Sequence, residues 1–188
     1  MSKEKLLLVG AGGFGRMVAE QAMRQYDCAF VDDGQAVGTE ICGIPVIGRV
    51  DDLPELRKKY GLLVVGIGNN LFRAQVYEKA KVLGFAFPNI IDPSAYISPF
   101  AEVGCGCVLM QNACVQNGAS VGNGVLLNAR TEVHRGGTVG DYVLLYTNST
   151  IRTGAKVGRY ARIGGNVTVC NNATVPDGAD IPDCTAVH

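Results

Sequence analysis

One aliphatic position recurs every six residues through the second half of the chain. Stepping by six from Ile97 to Val187 passes sixteen positions, and each of them is Ile, Leu or Val; Ile91 extends the series backwards. The residue two places before is usually small, and glycine often follows the aliphatic residue. This hexapeptide period predicts a parallel β-helix with one inward aliphatic side chain per hexad on each flat face.

The period also predicts the dimensions of that helix. Three hexads form one triangular coil, so sixteen hexads give five coils and a third, with coils stacked at about 4.8 Å. No hexad is interrupted, so no loop is expected to leave the prism. Hexapeptide β-helices are left-handed, an exception to the usual crossover rule, and the same hand is expected here.

The first half of the chain has a different pattern, in which short apolar runs alternate with helical periodicity. This alternation predicts a parallel, Rossmann-like α/β domain over residues 1–90, followed by the left-handed β-helix over 91–188. Prolines at 88, 93 and 99 mark the boundary. The predicted strands are 5–9, 28–32, 62–68 and 85–91, and the predicted helices are 15–26, 52–60 and 70–84.

Charge and cysteine content exclude several classes of protein. Seventeen acidic residues balance 17 basic ones, so no field attracts nucleic acid or an anionic membrane. The seven cysteines lack metal-ligand spacing and are predicted to be reduced, mostly buried thiols, with no metal site. The N-terminal apolar run is too short for a signal peptide, and no stretch approaches the roughly 20 apolar residues of a membrane span. A cytoplasmic protein is expected.

The chain resembles sugar acyltransferases of the kind that includes sialic acid O-acetyltransferases and the N-acetyltransferase of bacillosamine synthesis. The resemblance rests on VGAGGFGR near the start, DD after the second strand, GIGNNLFR before the third helix, and the hexapeptides. It implies a homotrimer with active sites in the grooves between subunits. It also implies acetyl-CoA as donor and, as acceptor, an amino or hydroxyl group on a sugar that is often nucleotide-linked.

The glycine turn after the first strand is the candidate nucleotide site. Gly10, Gly12 and Gly15 spell G-x-G-x-x-G, and Asp32 and Asp33 end the next strand. The same pattern binds dinucleotides, but about 90 residues are too few for two mononucleotide-binding halves, so a UDP-type sugar is favoured; a purely structural turn is the other alternative. The predicted substrate-binding residues are Gly10, Gly12, Gly13, Asp32, Asp33, Gly68, Asn69, Asn70 and Arg73, with a solvated side chain as the alternative for Arg73.

His134 is the candidate catalytic base. In the six-residue register the family segment V-E-H-D-C-V-I-G-D-F-V-H-I places Arg135 on its first histidine and His134 on the preceding acid, and a guanidinium cannot act as a base near neutral pH. Leu144 takes the second histidine position and Thr153 a later glycine. His134 therefore serves as base in a remodelled groove, or it is an ordinary turn residue. In the second case the protein is a non-catalytic scaffold that retains nucleotide-sugar binding, or a dinucleotide-binding protein whose prism serves only for assembly.

No acidic partner for His134 is evident from the register. The residues one coil away are Gln116 and Arg152, and Glu132 is expected to point elsewhere along the turn. Arg152, Thr153 and Gly164 are predicted to contact acetyl-CoA. Arg130, Arg135 and Arg152 make a basic face that suits an anionic acceptor or the CoA phosphates, and the alternative is a solvated face with intersubunit ion pairs. Corner positions with left-handed backbone are predicted at Asn112, Asn117, Asn123, Asn128, Asn148, Asn166, Asn171 and Asn172.

Overall fold

The computed structural model describes residues 3–188. The chain divides into two compact units, one ending at Ile90 and the other comprising Ile91–His188. The first unit contains every helix of the described range, and the second consists of short strands joined by turns.

The N-terminal unit is built on a five-stranded sheet with the order β3-β4-β2-β1-β5. Strands β1, β2, β4 and β5 are parallel, whereas β3 pairs with β4 as an antiparallel hairpin. The strands are β1 Glu4–Val9, β2 Tyr26–Val31, β3 Glu40–Ile41, β4 Ile44–Gly48 and β5 Leu62–Val65. The helices are α1 Gly13–Ala22, α2 Leu53–Leu56 and α3 Asn70–Val82, with a 3-10 helix at Val50–Asp52.

Most of the predicted elements are confirmed, with differences at their ends. The first three strands and the third helix are present, but α1 ends four residues before the predicted limit, and residues 52–60 form only one helical turn. The strand predicted over 85–91 is not continuous. Ala86 makes a single bridge to Leu62, Pro88 has no amide hydrogen, and only Ile90–Ile91 forms a strand, which belongs to the β-helix instead of the N-terminal sheet. The β3–β4 hairpin was not predicted, so the sheet is mixed rather than all parallel.

The C-terminal unit is the predicted parallel β-helix. Seventeen two-residue strands recur every six residues through the described chain, one more than the sixteen predicted, because the Ile90–Ile91 strand also pairs. They form three parallel sheets in which each residue pairs with the residue 18 positions along. Sheet I contains β7 Tyr96–Ile97, β10 Cys114–Val115, β13 Glu132–Val133, β16 Thr150–Ile151, β19 Thr168–Val169 and β22 Ala186–Val187.

The other two sheets complete the prism. Sheet II contains β8 Glu102–Val103, β11 Ser120–Val121, β14 Thr138–Val139, β17 Lys156–Val157 and β20 Thr174–Val175. Sheet III contains β6 Ile90–Ile91, β9 Val108–Leu109, β12 Leu126–Leu127, β15 Leu144–Leu145, β18 Arg162–Ile163 and β21 Asp180–Ile181. Side chains alternate along a strand. The second residue of each two-residue strand therefore points inward, whereas the first residue and the residue that follows the strand point outward.

The interior is one continuous column of aliphatic side chains. The inward residues from Leu109 to Val175 are almost completely buried, and the small residues two places before them pack in the same core. Because the coils stack in register, each aliphatic side chain lies above and below its equivalents in neighbouring coils. Burial of this kind stabilises by about 25 cal/mol per Å² of apolar surface, which explains why the period continues without interruption.

The corners of the prism repeat a left-handed backbone conformation. Every sixth residue from Gly106 to Cys184 has a positive φ between 56° and 70°. Glycine or asparagine occupies ten of these fourteen positions; the exceptions are Arg130, Tyr142, Tyr160 and Cys184. The asparagine prediction is confirmed for Asn112, Asn148, Asn166 and Asn172. Asn117, Asn123 and Asn171 lie in the corner turns, but one residue before the left-handed position, and Asn128 lies outside the turns. The left-handed conformation predicted for these four is therefore wrong.

The structure also tests the predictions made for the cysteines, for metal ligands and for membrane-spanning helices. None of the seven cysteines forms a disulfide. The prediction that most of them are buried is wrong, because only Cys107 is buried, three are half-buried, and Cys42, Cys105 and Cys184 are exposed. Within residues 3–188 no group of three or more His, Cys, Asp or Glu side chains could hold a metal ion. No helix in this range has the length and hydropathy needed to cross a bilayer.

Candidate functional site

The glycine turn between β1 and α1 is held by two close backbone contacts. Gly10 has φ of 98°, and its N–H donates to Val31 O at 2.8 Å. A Cβ atom on Gly15 would overlap the carbonyl oxygen of Gly10, and one on Gly66 would overlap Gly15 Cα. Gly10 and Gly15 are therefore required by the fold itself, where the strand ends meet α1.

Gly12 and Gly13 are placed differently from the other glycines of the motif. Both are exposed, and a Cβ atom at either position would meet nothing within 4 Å. Gly12 is the N-cap of α1 and has no side chain to accept from the amides of the first turn, which contains no acidic residue. Free amides at the start of a helix favour an anion such as a phosphate. The open half of the motif is therefore the half that is free to accept an anion.

Asp32 and Asp33 are placed at the carboxyl end of β2. The Asp32 carboxylate accepts from Ala11 N at 2.6 Å and from Gly34 N at 2.8 Å, which fixes the glycine turn. Asp33 Oδ1 accepts from Val50 N at 2.9 Å. The two acids belong to a depression of about 170 Å³ whose lining is Val9, Gly10, Val31, Asp32, Asp33, Gly34, Val50, Ile67 and Phe72. It lies at the point where the strand order reverses about β1, which is where open α/β sheets bind ligands.

The segment from Gly68 to Arg73 is organised by hydrogen bonds within the N-terminal unit. Asn69 caps α3, with its side-chain oxygen accepting from Phe72 N at 2.9 Å. Gly68 is exposed and Asn70 half-buried, beside the depression. Both predictions for Arg73 require correction. Its side chain is fully buried, and Nη1 donates to Ile67 O at 2.8 Å, so it anchors the turn and is neither solvated nor open to a phosphate.

The candidate base lies on sheet I of the β-helix with an acidic partner. His134 follows β13, and its Nε2 atom lies 2.9 Å from Oε2 of Glu132. The expectation that Glu132 points elsewhere is wrong: positions two apart on a strand share a face, so Glu132 and His134 both point outward while Val133 points inward. Strand alternation was the sequence signal for this pair. The His134 side chain is 26% exposed, which leaves it accessible to a ligand.

The neighbours of His134 follow from the coil register. Gln116 and Arg152 occupy the equivalent outward positions one coil below and one coil above, since Val133 pairs with Val115 and Ile151. Arg135 is exposed, and its backbone N–H donates to Gln116 Oε1 at 3.3 Å. Arg130 is also exposed but lies at the preceding corner, so it does not share the face of His134.

The residues predicted to contact acetyl-CoA do not all lie on one face. Arg152 is exposed on sheet I, and Thr153 follows it as a half-buried residue. Gly164 follows a strand of sheet III, and a Cβ atom there would overlap Asp183 of the next coil. Packing between coils therefore explains why this position is glycine. Leu144 is also on sheet III and is buried, so it offers no polar group to a ligand.

A second depression, not foreseen from the sequence, lies on the β-helix and includes Arg135, the residue after His134, in its lining. It has a volume of about 400 Å³, and its lining is Tyr96, Ser98, Pro99, Phe100, Gln116, Asn117 and Arg135. The signal that could have found it is a pair of large aromatic residues at outward positions of the first coil, where burial cannot explain them.

Known proteins resemble both units. Residues 5–80 match the family model of the PglD N-terminal domain. The structure is similar to the acetyltransferase domain of PglB from Neisseria gonorrhoeae FA1090 in complex with acetyl coenzyme A. The TM-score is 0.88 and the identity 33%, covering 98% of this chain and 96% of that one.

Two further structures extend the comparison. A histidine-to-asparagine variant of perosamine N-acetyltransferase from Caulobacter crescentus, in complex with CoA and GDP-perosamine, has a TM-score of 0.80 and 26% identity, over 97% of this chain and 92% of that one. WeeI from Acinetobacter baumannii AYE has a TM-score of 0.81 at 21% identity, over 98% and 96%, and shows the shared fold.

Proposed function

Because the chain belongs to the family of hexapeptide-repeat sugar acetyltransferases that carry a PglD N-terminal domain, we propose that it transfers the acetyl group of acetyl-CoA to a nucleotide-linked sugar. The attacking group is an amino or hydroxyl group, and the perosamine N-acetyltransferase likeness favours the amino group. The observation that carries the catalytic part of the proposal is the hydrogen bond between His134 and Glu132.

His134 is the base in this proposal. An ionised Glu132 can only accept, so the hydrogen bond makes Nε2 the protonated nitrogen and leaves the Nδ1 lone pair free. Nδ1 takes the proton from the acceptor as its nitrogen or oxygen bonds to the thioester carbonyl carbon. The C–S bond then breaks, and the proton passes to the departing CoA sulfur. Glu132 stabilises the imidazolium formed between these two steps.

The donor and the nucleotide are assigned to different residues. Arg152, one coil above His134, supplies a cation for CoA phosphates, and Thr153 adjoins it. In the N-terminal unit, the free amides at Gly12 and Gly13 support binding of the nucleotide phosphates, and Asp33 supports binding of the base or ribose. Arg73 is withdrawn from this set because it is buried.

Assembly and location complete the proposal. We propose a homotrimer with three copies side by side, as the family resemblance implies. Light scattering of the purified protein measures the mass of the oligomer directly. Acetyl-CoA and nucleotide sugars are cytoplasmic metabolites, which supports a cytoplasmic location. No resident metal or cofactor is needed for the proton transfer described above.

The test uses the two histidines of the chain as a matched pair. CoA release is followed with a thiol reagent while UDP- and GDP-linked amino sugars are offered as acceptors. His134→Ala should lower kcat by on the order of a hundredfold or more, whereas His188→Ala, at an exposed position outside the site, should leave kcat unchanged. Equal rates for wild type and His134→Ala would remove His134 from the mechanism.

One observation favours a second function. Arg135 occupies the family's histidine position, and buried Leu144 the second one, which is what a nucleotide-sugar-binding scaffold without transfer activity would show. Thermal shift separates the two functions. A scaffold is stabilised by a nucleotide sugar but not by acetyl-CoA at millimolar concentration, whereas the enzyme is stabilised by both.

A further inference from the structure

The depression on the β-helix combines aromatic faces, amides and one cation. Tyr96 and Phe100 are 57% and 72% exposed, although large aromatic side chains are usually buried. Gln116 and Asn117 add two amides, and Arg135 adds a guanidinium. No carboxylate lines it, and Arg135 forms no ion pair with any residue in the described range 3–188. The depression therefore presents an unneutralised positive charge beside two exposed rings.

The register places this depression next to the candidate base. Gln116 is the outward residue one coil below His134, at a spacing of about 4.8 Å, and Ser98 is one coil further down the same row. Arg135 follows His134 directly and borders the depression. A molecule of sugar size lying over Phe100 and Gln116 would therefore reach both His134 and the Arg135 guanidinium.

We propose that this depression binds the sugar ring of the acceptor and that Arg135 pairs with a negatively charged group on that sugar. This inference rests on the proposed acetyl transfer and names the acceptor as an anionic sugar, bearing a carboxylate or a phosphate. The apolar face of the sugar ring packs on Tyr96 and Phe100, and its hydroxyl groups bond to the amides of Gln116 and Asn117. The guanidinium matches the two oxygens of a carboxylate or phosphate in a bidentate pair.

Charge recognition also explains why Arg135 occupies the position at which the family has a histidine. A guanidinium at the family's histidine position cannot take a proton, but it can hold a charged acceptor with the attacking group toward His134. The recognition role has moved to Arg135 and the proton transfer to the preceding residue. Neutral amino sugars lack the group that Arg135 binds, so they should be poor acceptors.

The decisive experiment compares Arg135→Gln with Lys156→Gln, which removes one exposed positive charge from sheet II of the same β-helix. Acceptors are a neutral amino sugar, its 1-phosphate, its nucleotide diphosphate form and an amino sugar acid. We expect Arg135→Gln to raise KM for charged acceptors about 10- to 100-fold with kcat within about threefold, as loss of a charge-assisted hydrogen bond implies. Lys156→Gln should change neither constant.

The acceptor comparison can also identify the bound anion or overturn the proposal. A rise in KM in Arg135→Gln that is confined to the sugar acid, or confined to the phosphate forms, identifies the anion that Arg135 binds. Equal use of neutral and charged acceptors by the wild type, or an equal loss with both in Arg135→Gln, overturns the proposal. So does a Phe100→Ala variant with unchanged KM but altered oligomer mass, because the rings would then be an interface between copies.

Failure of the proposed function is a separate result. If the wild type acetylates none of these sugars, the transfer assignment fails. Calorimetric titration of the wild type and Arg135→Gln with the same four sugars then tests the depression alone. Binding of charged sugars that is lost in Arg135→Gln supports the site, and absence of binding to the wild type overturns it.

Discussion

Nε2 of His134 lies 2.9 Å from Oε2 of Glu132, two residues earlier in the same turn of the β-helix. The pair needs no contribution from another coil, because strand alternation alone brings both side chains to the outer face. Its members are 26% and 47% exposed. The geometry orients the imidazole while leaving its other nitrogen open to a ligand.

Replacing Glu132 by glutamine should slow the reaction without preventing binding. The amide keeps the size of the side chain but loses the charge that stabilises the imidazolium, so we expect kcat to fall about 10- to 100-fold with KM for acetyl-CoA little changed. Steady-state thiol release measures both constants. Glu102→Gln, on an exposed position of sheet II, is the matched control. Equal kcat in all three proteins would leave Glu132 without a role.

Substituting glycine for Arg130 should stabilise the protein. Arg130 is exposed and has φ of 59°, a conformation that costs a side-chain-bearing residue about 1–2 kcal/mol and costs glycine almost nothing. After allowing for the larger entropy of unfolded glycine, we expect a gain of about 0.5–1 kcal/mol in the free energy of unfolding. Urea denaturation measures it. Lys156→Gly, in an extended strand, should instead lose about 1 kcal/mol, and a gain in both variants would contradict the argument.

Replacing either of two glycines of the first turn by alanine should change stability by very different amounts. Gly15→Ala places a methyl group against the Gly10 carbonyl oxygen, so the free energy of unfolding should drop by at least about 3 kcal/mol. Gly13→Ala meets open space at the start of α1 and should leave stability within about 0.5 kcal/mol of the wild type. Thermal melts followed by circular dichroism compare them. Similar losses in both variants would mean that the two glycines are not distinguished as the structure shows.

Cys107 should be inert to alkylation and should make the protein less stable at alkaline pH. Burial raises the pKa of the Cys107 thiol to about 12, and burial of Cys28 raises its pKa to about 11. At pH 8 neither should react with iodoacetamide while exposed Cys42, Cys105 and Cys184 do, as peptide mass spectrometry can show.

The same shift sets a pH dependence of unfolding. The unfolded thiol loses its proton near pH 9 while the folded one keeps it, so stability falls as pH rises from about 9 toward 12. Alanine is the usual residue at the position of Cys107 in neighbouring hexads, so Cys107→Ala should fold and should reduce the loss between pH 8 and pH 10. An undiminished loss in this variant would assign the alkaline sensitivity to other groups.

The β-helix could be predicted from the sequence because its constraint repeats. Each coil must present an aliphatic side chain at the same place. A small residue at such a position, for example in place of Val133, would leave a cavity beside the equivalent side chains of the two neighbouring coils. The N-terminal sheet was predicted less completely. In the β3–β4 hairpin the strands have only two and five residues, with Cys42 and Gly43 between them. Strands this short do not show a clear alternation of apolar and polar residues against the surrounding turns.

The site could be predicted only in part. His134 stands out because it is one of two histidines. Its partner is less evident, because it lies two residues back along the same strand instead of one coil away. The role of Arg73 depends on burial of its guanidinium, which no local pattern reveals. Tyr142 and Tyr160 occupy left-handed corners one coil apart, with stacked rings 5.7 Å between centroids, and their pairing is visible only once the coils are stacked.

The unbroken register of 18 residues per coil restricts how the chain can change length. Six residues inserted between His134 and Arg152 would turn everything downstream by one face, so the side chain now above His134 would move to a different side of the molecule. Insertions above His134 therefore keep every downstream residue on its own side of the prism only when they add a whole coil of 18 residues at a time.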